Sequence, residues 1–268
     1  QMEIVSLLLE QSEEKGICID AIDDIGRNLL YFACSSNNSE LVKMPLENNF
    51  NQNSETTLGT RTTPFHYACS NGNLEVIKVV LENALTYNID LNAKNREGRT
   101  PIFFACRDKQ SDATLYLIEN YQKYGIELNM RDVNGWNLLH MACLKGLYEV
   151  TRLLLSKLEE LGLDRFAESK NDSSALHFAA YGGNVDIVSL LLQNGFEVNR
   201  KGYNGETLLH IACKTGRINV IKMLLDKGKQ KKIKIDFNAA NVFGETPLIL
   251  AQDRVIRAIL SNAMNYFN

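Results

Sequence analysis

Residues 131–155 read Arg-Asp-Val-Asn-Gly-Trp-Asn-Leu-Leu-His-Met-Ala-Cys-Leu-Lys-Gly-Leu-Tyr-Glu-Val-Thr-Arg-Leu-Leu-Leu. Asn134-Gly135 is a turn pair, Asn137 can cap a helix, a short apolar run leads to Cys143, and Gly146 can end it before a second apolar stripe begins at Val150. The same arrangement recurs along the chain. Its central alanine, Ala142, has counterparts at Ala33, Ala68, Ala105, Ala179, Ala212 and Ala251, spaced by 35, 37, 37, 37, 33 and 39 residues. A period in this range marks one supersecondary unit stacked many times over, so no second globular domain is needed to account for 268 residues.

The cap position is occupied in all seven units by a residue with a side-chain oxygen: Asn28, Thr63, Thr100, Asn137, Ser174, Thr207 and Thr246. Such oxygens accept from the first-turn N–H groups that a helix leaves unpaired, so seven helix starts are expected. Pro64, Pro101 and Pro247 follow immediately, at the first helical position, where a missing N–H costs nothing. Four residues after the alanine stand Asn37, Gly72, Lys109, Gly146, Gly183 and Gly216, expected to end a helix of about two turns. The second helix then shows a broad apolar face, as in Val76, Ile77, Val80, Leu81 and in Val220, Ile221, Leu224, Leu225. A pair of helices this short cannot bury both faces alone and must stack on its neighbours.

Thr-Pro-Phe-His at 63–66, Asn-Leu-Leu-His at 137–140 and Thr-Leu-Leu-His at 207–210, with glycine five residues before the second and third of these histidines, resemble the ankyrin repeat. The resemblance covers residues 21–268 as seven units, the last compressed as a C-terminal cap, and residues 1–20 resemble the second helix of a partial N-terminal repeat. It implies an all-α solenoid in which each unit is a β-turn finger followed by two antiparallel helices. Gln1 falls inside an apolar stripe, so the chain is expected to start partway through a repeat. Three departures stand out. Arg61 and Asp172 replace the turn glycine in repeats two and five, where less regular fingers are expected. Pro45 replaces a core position held elsewhere by Val80, Leu117, Leu154, Leu191 and Leu224.

The pairs His66/Cys69, His140/Cys143 and His210/Cys213 suggest zinc, because imidazole and thiolate one helical turn apart can share an ion. Yet all four histidines, His177 included, hold one repeat position, and five of six cysteines hold another, so the pairs are layered one per unit about 10 Å apart. That is too far for neighbouring pairs to close a shell of ~2.0–2.3 Å bonds. The resemblance implies instead that the histidine bonds to the capping hydroxyl and neighbouring backbone, and that the cysteine fills a small apolar slot. A Cys–His nucleophile lacks an orienting acid and an oxyanion donor. No phosphate-binding glycine loop is present, and Gly202-Tyr-Asn-Gly205 lies in a finger turn without the buried strand a dinucleotide site needs. Cofactors and metals are therefore not called for, and the chain is not read as an enzyme.

A formal net charge of -3 gives no long-range pull toward nucleic acid, and no apolar run approaches the ~20 residues that span a bilayer. Thiols 35–37 residues apart suggest no disulfide framework and hence a reducing, cytoplasmic compartment, the nucleus remaining open. The run Lys227-Gly-Lys-Gln-Lys-Lys-Ile-Lys234 is read as a solvated loop in preference to an import or anion-binding patch. Function must then lie in what stacking leaves variable, the finger tips and the facing surface of the first helices: Arg96, Glu97, Arg99, Arg107, Arg131, Val133, Asn134, Trp136, Leu144, Lys145, Tyr181, Tyr203, Asn204 and Lys214. This set points to a monomer binding a polypeptide partner on a concave surface over repeats three to six. The alternative is a recruiting module of a larger enzyme or effector whose catalytic part lies elsewhere; a mechanical spacer is the third reading. Trp136, the single tryptophan, is either an interface anchor or a packing residue across neighbouring fingers.

A proline inside a helix costs on the order of 3 kcal/mol, so the first full repeat should be the softest. Amide exchange is expected to be fastest before about residue 50, the chain ends apart; uniform protection from Leu29 to Leu225 would contradict this.

Overall fold

The computed structural model describes residues 21–36, 38–48, 51–57 and 59–267. The expected partial repeat over residues 1–20, with Cys18, and the expected helix end at Asn37 lie outside the described residues. By compactness the chain divides into two units, Gln1–Val133 and Asn134–Asn268. In unit 1 the helix pairs are Leu29–Ser35 with Glu40–Glu47, Pro64–Asn71 with Leu74–Asn83, and Pro101–Arg107 with Ser111–Glu119, the last followed by a single turn, Tyr121–Tyr124. In unit 2 they are Leu138–Lys145 with Tyr148–Ser156, Ala175–Gly182 with Val185–Gln193, Leu208–Lys214 with Ile218–Lys229, and Pro247–Leu250 with Arg254–Phe267. Each pair is one repeat. The last first-helix has four residues, as expected of a compressed terminal unit.

Within each unit first helices pack on first helices in chain order, and second helices do likewise for repeats 1–3 and 4–6. Every anchoring alanine is buried, because a larger side chain there would hold neighbouring first helices apart. Cys34, Cys69, Cys106, Cys143 and Cys213 are buried beside them. Val76, Ile77, Val80 and Leu81 are fully interior, as are Val220, Ile221, Leu224 and Leu225, so the second-helix stripe is consumed by stacking. Among the described residues there is no strand, only an isolated bridge between Glu168 and Ser174.

The histidines tie the layers. In repeat 2 the N–H of Thr63 donates to His66 Nδ1 at 3.1 Å, and His66 Nε2 lies 3.1 Å from the carbonyl oxygen of Arg99 in the next finger. A backbone N–H only donates and a carbonyl only accepts, so Nδ1 is bare and Nε2 carries the proton. The same reasoning fixes His140 between Asn137 N–H and the Ala167 carbonyl, His177 between Ser174 and Arg200, and His210 between Thr207 and Glu245. In repeat 1 Tyr31 occupies this place, its hydroxyl 3.3 Å from Thr62 Oγ1 in the next finger.

The cap expectation holds in five of the seven repeats. Asn28 accepts from Tyr31 N–H, and Thr63, Asn137, Ser174 and Thr207 form reciprocal capping boxes with their histidines. Thr100 and Thr246 make no capping bond with their side chains. Three residues on stand Phe103 and Ile249, neither with a nitrogen to offer, and the buried Thr100 Oγ1 has no hydrogen-bond partner.

The fingers are more uniform than their sequences. Five residues before the cap, the side-chain oxygens of Asp23, Asn95, Ser169 and Asn241 each accept from two turn N–H groups: for Asn95 Oδ1 these are Glu97 and Arg99, at 3.0 and 2.9 Å. Neighbouring fingers are laced by Arg96 N–H to Thr60 O, Val133 to Glu97, Lys170 to Asn134 and Val242 to Asn204. Contrary to the expected irregularity, Arg61 and Asp172 adopt φ of 55° and 59°, the left-handed conformation of Gly26, Gly98, Gly135, Gly205 and Gly244 at the matching place. The turn keeps its shape and the side chain bears the strain.

Two outcomes follow. Arg61→Gly relieves that strain and should raise stability by about 1 kcal/mol, seen as a higher Tm; a lower Tm would contradict it. Burial pushes His66 down to about 4, against about 6.5 for an unfolded chain. The unfolded chain thus takes up the proton first, so the stabilisation is complete above about pH 6.5 and is lost as pH falls through about 4. The stability advantage of wild type over His66→Gln, read from denaturant unfolding, should shrink across that window by on the order of 3 kcal/mol in all; an advantage that grows on acidification would overturn it.

Candidate functional site

In unit 2 the fingers and first helices of repeats 4, 5 and 6 enclose an open cavity of about 510 Å³. This lies within the range of ~300–1,000 Å³ typical of ligand clefts. Its aromatic wall is built from Trp136, which precedes the repeat 4 cap, and from Phe178 and Tyr181 on the first helix of repeat 5. Tyr203, in the short 3-10 turn Tyr203–Gly205 of the next finger, faces the same space. Leu144 and Ile211 supply the aliphatic part. Trp136 meets Phe178 edge to face with ring centroids 4.6 Å apart, and Phe178 in turn packs on the His140 ring at 4.9 Å. Trp136 is half-buried and Phe178 buried, whereas Tyr181 and Tyr203 are 58% and 55% exposed. The floor is apolar and the lip is exposed.

Two close approaches shape the floor. A Cβ on Gly182 would sit 2.5 Å from the Leu144 carbonyl oxygen, and one on Gly202 would sit 3.0 Å from the His177 ring. Glycine at both places lets first helix meet first helix, and finger meet histidine, more closely than any other residue allows. The polar groups at the floor are few. Glu206, nearly buried, is paired with the Lys214 ammonium at 2.7 Å, and the Ser173 hydroxyl accepts from Tyr203 N–H at 3.3 Å.

Of the residues expected from sequence to face a partner, Trp136, Leu144, Tyr181, Tyr203 and Lys214 converge on this cavity. Lys145, Asn134 and Asn204 stand beside lining residues in the chain; the carbonyl oxygens of the two asparagines accept from Lys170 and Val242 in the ladder between fingers. In unit 1 the corresponding side chains are charged and largely matched among themselves. Arg99 reaches Asp132 at 3.1 Å and Glu97 at 2.6 Å and lies over the Phe103 ring. Arg107 pairs with Asp108 at 2.6 Å and covers the Phe104 ring at 4.0 Å, and the Asp108 carboxylate also receives the Ser70 hydroxyl. Arg96, Arg131 and Val133 are exposed. A second hollow in unit 1, about 680 Å³, is bordered by Asn53, Asn88 and Asn92; Asn53 and Asn92 already bracket backbone turns through both ends of their amides.

Phe178 and Ile211 were missed by sequence reading. The signal was available: the residue just after three of the four histidines is large and apolar, Met141, Phe178 and Ile211, and Tyr67 follows the fourth.

The chemistry open to the conserved-looking His/Cys pairs is limited by what they already do. His66, His140, His177 and His210 each use both ring nitrogens in hydrogen bonds, leaving no lone pair aimed at an ion. Burial pushes the thiols of Cys34, Cys143 and Cys213 up to about 12, and that of Cys69 well above the ordinary value, so the thiolate needed for attack or ligation is suppressed. No helix among the described residues is long and apolar enough to cross a membrane.

A family model described as ankyrin repeats (3 copies) matches residues 1–95, 45–132, 84–164, 158–235 and 196–266. Among solved structures the chain is similar to the ankyrin repeat domain of Bcl-3, described as a unique member of the IkappaB protein family, with 26% identity and a TM-score of 0.63 over 89% of this chain and 100% of that one. It is likewise similar to the human ASB11 ankyrin repeat domain, with 25% identity and a TM-score of 0.71 over 88% of this chain and 98% of that one. No curated protein matches it.

Proposed function

Because the chain belongs to the ankyrin repeat family, we propose that it is a protein-interaction module, acting as a monomer without catalysis of its own, which seats a polypeptide partner on its fingers and first helices. The observation that carries this reading is the aromatic cavity of unit 2, whose walls include side chains that stacking does not consume. Tyr181 and Tyr203 are large, rigid and mostly exposed at its lip, and Trp136 and Phe178 form an apolar base beneath them. Exposed aromatics of this kind dominate interface energy at roughly 2 kcal/mol or more per hot spot. Trp136, Leu144, Tyr181, Tyr203 and Lys214 are assigned the central contacts. Lys145, Asn134 and Asn204 are assigned the rim in unit 2, and Arg96, Glu97, Arg99, Arg107, Arg131 and Val133 are candidates for further contact in unit 1. The buried thiols suit a reducing, cytoplasmic setting.

Trp136 packs on Phe178 as well as lining the cavity, so the cleaner test uses the lip. Tyr181→Ala with Tyr203→Ala should leave the Tm unchanged and weaken capture of the chain's partner from a lysate of its source by roughly 30-fold or more. Trp136→Ala should lower both. Undiminished capture by the double tyrosine variant would sink the reading.

A further inference from the structure

The cavity is apolar, but its surroundings are not neutral. Lys145 is the last residue of the repeat 4 first helix, next to the lining residue Leu144. Lys170 stands on the repeat 5 finger, where its N–H donates to the Asn134 carbonyl two residues before Trp136. Neither ammonium has a carboxylate partner among the described residues. Lys201 donates to the Ala240 carbonyl and Arg217 to the Tyr181 carbonyl, neutral acceptors that leave the positive charge uncancelled. Against these cations stand Asp172 at the finger tip and Glu206, and the Glu206 charge is already cancelled in place by Lys214. A chain with a formal net charge of -3 thus carries uncancelled cations on the fingers and first helices that border this hollow. In unit 1, by contrast, Arg99 and Arg107 face Asp132, Glu97 and Asp108 at bonding distance.

We infer that the segment held in the unit 2 groove is an acidic linear peptide, one bulky apolar side chain entering the aromatic cavity and flanking carboxylates lying over Lys145 and Lys170. This rests on the reading of the groove as a polypeptide site and adds to it the chemistry of the occupant. The cavity has room for one large side chain beside the Trp136 and Phe178 rings. Low-dielectric aromatic walls concentrate the field of the lysine rim, so carboxylates are drawn in and a basic segment is turned away.

The test is a displayed library of random linear peptides selected on the whole chain, followed by tryptophan-free synthetic copies of the enriched sequences. Their binding is read from the emission of Trp136, the single tryptophan, which lies in the groove. The expected peptides carry a bulky apolar residue with Asp or Glu close on either side. They release as salt rises from about 0.1 M to about 1 M, where screening shortens from about 10 Å to about 3 Å. Lys145→Glu with Lys170→Glu, both on the surface, should weaken them about tenfold and leave the Tm in place. Peptides that shift Trp136 emission but have neutral or basic flanks and no salt dependence would overturn the acidic assignment while leaving the groove as a peptide site. Enriched peptides that leave Trp136 emission unmoved and bind the Tyr181→Ala, Tyr203→Ala variant equally well would overturn both.

Discussion

Each of His66, His140, His177 and His210 accepts through Nδ1 from the N–H of its own helix cap and donates through Nε2 to a carbonyl in the following finger. One side chain thereby closes a helix start, holds a finger and links two layers that a two-helix unit could not bury alone. The requirement is severe: the ring must be neutral, in one tautomer, and buried at the contact between repeats. Substitution at that position changes the bond made. Tyr31 still reaches across to Thr62, but Phe103 cannot, and the hydroxyl of Thr100 is left buried without a partner. The same constraint empties the His/Cys pairs of chemistry, since a ring nitrogen already bonded and a thiol in an apolar slot have nothing left to give a metal or a substrate.

Most of the fold could be read directly because its determinants are local and repeated. Proline after the cap, a small residue at the layer contact and glycine or its substitutes at the helix end each answer a backbone need within a few residues, and the helix pairs begin at the expected places. What escaped depends on geometry across repeats. Arg61 and Asp172 looked like breaks in the pattern, yet the ladder between neighbouring fingers holds the turn and forces a positive φ on residues that resist it. Thr100 and Thr246 looked like ordinary caps, yet neither side chain makes a capping bond, and Phe103 and Ile249 cannot complete the reciprocal box that the histidines complete. The oxygen five residues before the cap, Asp23 or Asn95 for example, serves every finger turn in which it occurs and was legible in principle, being polar in a fixed register.

The candidate site was legible only in outline. Register arithmetic could list which side chains stacking leaves over, but not which of them share a hollow. Trp136, Leu144, Tyr181, Tyr203 and Lys214 do so because Gly182 and Gly202 bring helix and finger close enough to make a common floor, a fact about backbone approach that no single repeat declares. Phe178 was hidden by its neighbours: next to a structural histidine and an anchoring alanine it reads as core, and it is the floor on which Trp136 rests. In repeats 5 and 6 the cap, histidine and alanine serve stacking, while the residue after the histidine, the helix end and the finger tip line the cavity.

The central claim is that the histidine layer is structural, neutral and fully bonded, so that recognition falls to the side chains around it. Long-range 1H–15N NMR of the imidazole nitrogens tests this directly. The account predicts that at neutral pH all four rings carry a proton on Nε2 and none on Nδ1, and that His66, His177 and His210 stay in that form below the ordinary histidine range, because burial lowers all three. A ring protonated on Nδ1, or one of those three titrating as an exposed histidine does, would contradict it.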